Sequence, residues 1–149
     1  MIGREVQSAL LVLVAATALA ACHAREAAPA QGFMQYLGDL EDIGKAIATA
    51  TGYPADHVYV TGSRTDLHIS ILDAGLMAAD APTLERAAGA VIVAAEPALA
   101  AHAEFDSVQV IRVGIHHPSG LAPPIRDWHA ENVLEFRRGS NQRFAISGS

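Results

Sequence analysis

Apolar residues recur at helical spacing through "FMQYLGDLEDIGKAIATATG", where Tyr36, Leu40, Ile43, Ile47 and Ala50 form one stripe. That spacing predicts a helix over about 35–51. Asp39, Glu41 and Asp42 crowd toward its N-terminal part as a solvated, dipole-compatible turn, and Gly52 and Pro54 stop it. Gly38 and Gly44 lower its intrinsic propensity. The period then changes from 3.6 to 2. "HVYVTG" and "DLHISILD" are short, rich in β-branched residues and joined across "SRT", which predicts a β-hairpin. In its second strand Leu67, Ile69 and Ile71 share one face and His68 and Ser70 the other.

The longest helical signal is "ADAPTLERAAGAVIVAAEPALAAHAEF", with Leu84, Ala88, Val91, Ala95 and Leu99 on one stripe. Asp80 is the expected N-cap and Pro82 is tolerated in the first turn. Pro97 predicts a kink or break near 94–97, with a shorter second piece ending near His102. Its many alanines suggest close approach to a sheet. "DSVQVIRVGIHH" is the strongest strand. Ile111, Val113, Ile115 and His117 lie on one face, and Val108, Val110, Arg112, Gly114 and His116 on the other. "PSGLAPPIRD" reads as a loop. "WHAENVLEFRRG" reads as a last strand in which Ala130, Asn132, Leu134 and Phe136 alternate with Glu131, Val133 and Glu135. The tail after about 139 either frays or adds an edge strand. The expected fold is therefore a single α+β domain in the order α-β-β-α-β-β. Its sheet is four-stranded and mainly antiparallel, with helices on one face.

The chain opens differently. Arg4 precedes an apolar run from Ala9 to Ala21, roughly 13 residues where a membrane-spanning helix needs about 20. A short apolar run ending in small residues has the form of a secretory signal peptide. Leu19-Ala20-Ala21-Cys22 resembles the lipobox of bacterial lipoproteins, and Cys22 is the only cysteine. That resemblance implies cleavage before Cys22, a diacylglyceryl group on its thiol and acylation of the freed amine. It also implies a protein tethered to the bacterial envelope. His23 stands where an Asp would signal inner-membrane retention, so in a Gram-negative cell the resemblance implies the outer membrane, facing the periplasm. The alternative is an ordinary secreted protein, because Ala18-Leu19-Ala20 also offers a small-x-small cleavage pattern. The expected organisation is a signal peptide over 1–21, a lipidated cysteine and tether over 22–32, and the α+β domain over 33–149. The domain resembles small uncharacterised bacterial lipoproteins, a resemblance that carries no activity.

Composition changes this picture in two respects. One cysteine permits no internal disulfide, so the fold rests on its apolar core. A net charge of -6 argues against a nucleic-acid surface, which needs a basic stripe. Candidate chemistry gathers on the polar side of the expected sheet, where Tyr59, His68, Ser70, Arg112 and His116 form a possible ligand or partner face, with Glu135 or Arg137 beside them. Arg and His among hydroxyls suit an anionic ligand or a partner's polar groups. Histidines 116 and 117 point to opposite sides of a strand and do not share an ion readily. A metal site assembled from His68, His116 and His129 with Asp127 or Glu131 is the remaining metal arrangement. No zinc pattern is present in the sequence, and no metal or other cofactor is expected. Asp66, His68 and Ser70 are about 6.6 Å apart along one strand, too far for a hydrolytic relay. Trp128 reads as a residue packing the Pro-Pro loop onto the core, or as a partner anchor. These features point to a non-enzymatic binding or accessory domain that meets an envelope protein. The alternatives are a small hydrolase or metal-dependent enzyme using the histidine-bearing face, and a carrier of small ligands.

Overall fold

A computed structural model describes residues 32–116 and 132–147. The chain divides into two compact units, Met1–Gly38 and Asp39–Ser149. Helix α1 runs over 32–51, starting earlier than its apolar stripe predicts. A 3-10 turn, Ala55–His57, leads into β1 (Val58–Gly62) and then β2 (Asp66–Leu72). A single helical turn, α2 (Ala74–Met77), precedes the long helix α3 (Ala81–Ala100), and a second 3-10 turn, Ala103–Phe105, follows it. Strands β3 (Val110–His116), β4 (Asn132–Arg138) and β5 (Phe144–Ile146) complete the described elements.

The α+β class holds, but the sheet is five-stranded and mixed, in the order β1-β2-β3-β4-β5. The two expected pairings, β1 with β2 and β3 with β4, are antiparallel. The joint between them, β2 with β3, is parallel. Physically, α3 makes the difference. Its 20 residues rise about 30 Å, enough to carry the chain back past a seven-residue strand. The next strand therefore starts at the end where β2 started. The tail contributes the fifth strand, antiparallel to β4.

Alternation along the strands places the core. Val58 and Val60 of β1, Leu67, Ile69 and Ile71 of β2, Ile111, Val113 and Ile115 of β3, and Phe136 of β4 are buried on one face. Helices α1 and α3 cover that face through Leu40, Ile43 and Ile47, and through Leu84, Val91, Ile92 and Leu99. Ala88, Ala95 and Ala98 of α3 are buried as well, and a Cβ on buried Gly44 would stand 3.6 Å from both the Val58 carbonyl oxygen and Val60 Cγ2. Apolar burial of this kind supplies most of the driving force for folding.

Asp80 caps α3, its Oδ1 accepting from the Thr83 N–H at 2.9 Å. Contrary to expectation, α3 is not broken near 94–97 and contains Pro97. Pro97 lies on the solvent side, where water can reach the carbonyl it leaves without a helical donor, while Ala94, Ala95, Ala98 and Leu99 hold both flanks in the core. The third strand begins at Val110, later than the 106 of the sequence pattern, because the Ala103–Phe105 turn buries Phe105 and Val108 before the ladder starts. Asp39 also departs from its reading as a solvated acid. It lies in α1's second turn, and its Oδ1 is 3.3 Å from His102 Nδ1, with both side chains largely shielded. Glu41 and Asp42 do remain exposed and pair with Lys45.

Gly62 ends β1 with φ +133°, a region that L side chains rarely adopt. A Cβ there would collide with the Asp66 carbonyl oxygen and stand 2.9 Å from Leu67 Cα. Gly89, in contrast, sits mid-helix with nothing within 4 Å of its Cβ position. Gly62→Ala is expected to lower stability by more than about 1 kcal/mol, whereas Gly89→Ala should raise it by about 0.5–1 kcal/mol. Urea unfolding midpoints of the two variants test both signs together.

Candidate functional site

The face of the sheet opposite the core carries the candidate residues, and the strand register sets them in rows. Thr61, His68, Arg112 and Glu135 form one row across β1 to β4. Tyr59, Ser70, Gly114 and Val133 form the next. His116 lies on the same face at the end of β3, opposite Leu72. His68, Ser70, Arg112 and His116 surround a depression of about 150 Å³ that is also lined by Gly114 and Val133. Tyr59 shares the face and neighbours Ser70 but does not line the depression. Gly114 is buried and adds no side chain, so it forms the low point, while Val133 is 48% exposed and supplies apolar surface.

Arg112 organises the charges. Its Nε donates to Glu135 Oε2 at 3.0 Å, and its Nη1 lies 3.8 Å from Asp66 Oδ1. Glu135 accepts on its other oxygen from Arg137 Nε at 2.9 Å and lies 2.8 Å from Arg137 Nη2. Arg137 and then Arg112 hold the Glu135 carboxyl below the usual carboxylate range. Arg112 Nη1 is also 3.5 Å from His68 Nε2. A guanidinium only donates, so this contact requires His68 to accept through Nε2 as a neutral imidazole. Burial, and next the Arg112 charge, push the His68 pKa down against an opposing pull from Asp66. Burial alone pushes His116 down. The depression thus joins two neutral imidazoles, a hydroxyl and an exposed valine to a cation already balanced by two carboxylates.

That balance changes the chemistry expected from the sequence. A bound anion would have to compete with Glu135 for Arg112, so the face suits neutral polar groups and small apolar contacts better than a free anion. Ser70 stands one same-face position beyond His68, about 6.6 Å by strand rise, while His68 Nε2 faces Arg112. Among the described residues no three His, Cys, Asp or Glu side chains come together to hold a metal ion. His117, Asp127, Trp128, His129 and Glu131 lie outside the described residues, as do Cys22 and the residues of its lipobox. No helix among the described residues is long and apolar enough to cross a membrane.

Sequence reasoning missed two contributors. In the sequence Asp66 stands out only as one end of the Asp66-His68-Ser70 spacing, and its approach to Arg112 arises from the parallel β2–β3 pairing. Gly114 read as an unremarkable face residue because a missing side chain leaves no periodic signal. Val133 did carry a signal: it alternates onto the side of Glu135, where an apolar residue is exposed.

Replacing Arg112 by Gln removes a positive charge next to His68, so the His68 pKa should rise toward 6.5 without fully reaching it, since burial persists. Imidazole proton shifts followed by NMR against pH report this directly. The depressed His68 and His116 values also give a sign for stability. The unfolded chain binds protons more readily, so their contribution is full above pH 6.5 and is lost as the pH falls through the folded values. Denaturation between pH 7.5 and 5 should show that loss, with a shallower slope in His68→Gln.

Compared with known proteins, the chain matches no protein-family model, no curated protein and no solved structure.

Proposed function

We propose that the chain is a bacterial envelope lipoprotein, tethered through acylated Cys22, whose α+β domain is a non-catalytic binding or accessory module. It meets another envelope component with the second face of its sheet. The observation that carries the binding part is the make-up of that face. Its charges are paired with one another, across strands at Arg112 and along β4 at Arg137, and Val133 stands exposed beside a shallow, glycine-floored depression. Such a surface presents fixed polar groups around a small apolar contact, the composition of a protein-binding patch with low desolvation cost. The tether part is supported by Leu19-Ala20-Ala21-Cys22 at the end of the short apolar run. In a Gram-negative cell this proposal puts the protein on the outer membrane, facing the periplasm.

Two acyl chains or more make anchoring stable where one is marginal. In the native host, wild type should therefore label with palmitate and partition with membranes, and Cys22→Ala should lose the label. A Cys22→Ala protein that still carries palmitate would overturn the tether. For the face, a photo-reactive phenylalanine analogue at Tyr59 or Val133 should capture one defined envelope protein in intact cells, and Arg112→Glu should abolish that capture. Equal capture from Arg86 on α3 would overturn the assignment of the face.

A further inference from the structure

Helix α1 carries large apolar side chains on an arc beside its buried stripe. Leu40, Ile43 and Ile47 are 5%, 1% and 0% exposed, but Phe33, Met34 and Leu37, on the first turns of the same helix, are 60%, 66% and 42% exposed. At 100° per residue these three side chains fall within one arc of about 100°, so they form a single apolar patch rather than scattered contacts. Three large apolar side chains together at a helix start are an interaction surface in need of an occupant.

We propose that this patch docks on the lipid surface to which the chain is anchored, with Phe33, Met34 and Leu37 inserting at the headgroup–acyl boundary. The inference rests on the lipoprotein reading given above. The occupant follows from the length of chain between the patch and the anchor. Cys22 acylation fixes that residue at headgroup level, and even fully extended chain from Cys22 to Phe33 reaches only about 40 Å. The membrane is therefore present at an effective concentration of the millimolar order, whatever the path of the intervening residues. Under that tether a patch too small to bind a bilayer on its own stays docked, at a depth of roughly 5–10 Å. Covalent attachment thus favours lipid over any freely diffusing partner.

Local charge gives the docking a signature. Asp39, Glu41 and Asp42 follow the patch, against Lys45 alone. An acidic surround is repelled by anionic lipid, so insertion is apolar and weakens as negative headgroups are added. A polybasic membrane-binding segment would behave in the opposite way.

The test uses the full chain, expressed with its lipid and reconstituted into phosphatidylethanolamine–phosphatidylcholine vesicles. With Cys22 acylated, Met34→Cys supplies the only free thiol for an environment-sensitive fluorophore, and Arg86→Cys on α3 serves as the control. Emission at position 34 should be blue-shifted and quenched by nitroxide-bearing lipid, while position 86 is not quenched. Phe33→Ser/Leu37→Ser should abolish the quenching at 34, and phosphatidylglycerol should reduce it. If mass spectrometry shows Cys22 acylated and the position-34 probe remains in water, docking is wrong and the tether stands. If Cys22 carries no lipid, both fail. A probe shielded equally in a Cys22→Ala/Met34→Cys chain expressed from residue 22, which carries neither acyl chains nor the apolar run and is measured without vesicles, would identify a second copy of the chain as the occupant and overturn the lipid assignment.

Discussion

The parallel pairing of β2 with β3 is the constraint on which the rest of the structure depends. It is created by α3, which returns the chain along the covered face before β3 begins. Parallel register sets His68 opposite Arg112 and Ser70 opposite Gly114. Arg112 then reaches Glu135 across the β3–β4 ladder and Asp66 on β2. Reversing β3 would keep every residue on its present face but dismantle each of these rows. The polar face is therefore a product of the crossover as much as of composition. Because α1 and α3 occupy the other side, core packing and surface chemistry are separated by the thickness of one sheet.

This separation explains what could be read from the amino-acid sequence. Period-two alternation in "DLHISILD" and "VIRVGIH" reports directly which residues meet the helices, since a one-residue shift would bury His68 and Arg112 in place of Ile69 and Ile111. All five candidate residues accordingly share the expected face. The direction of β3 leaves no such trace, because alternation is identical in parallel and antiparallel strands. The ion pairs that neutralise Arg112 depend on that direction and on the reach of long side chains, so they too were illegible. Pro97 misled for a related reason. A helix-breaking residue reports its local cost, while the buried neighbours that hold the helix together on both sides are a tertiary matter.

The short fifth strand shows how the same helix governs the sheet's edge. In the register of β5 on β4, Arg143, Ala145 and Ser147 hold the ladder side, so the Phe144 N–H points away from β4. Glu96 of α3 accepts that N–H at 3.0 Å. Arg138 places its guanidinium 4.9 Å from the Phe144 ring centroid and braces the same residue. A carboxylate seated on an outward N–H does for one edge position what another strand would do, without leaving a template for strand addition. Glu96 thus ties the backbone of the edge strand directly to α3.

Edge and face therefore differ in what they offer a partner. At β5 a donor is already satisfied by an ionised group, and an incoming strand would have to displace Glu96 and leave its charge in a poorer setting. On the second face, Arg112 and Glu135 already satisfy each other, so a partner gains contact with Val133 and the depression without first separating a charge pair. Neutral His68 and His116 reinforce this, since neither carries a charge that must be desolvated above its depressed pKa. Complementarity on such a surface is achieved through shape and uncharged hydrogen bonds, and protonating the histidines would erode it. Recognition across the face, rather than extension of the sheet, is what this distribution of satisfied and accessible groups favours.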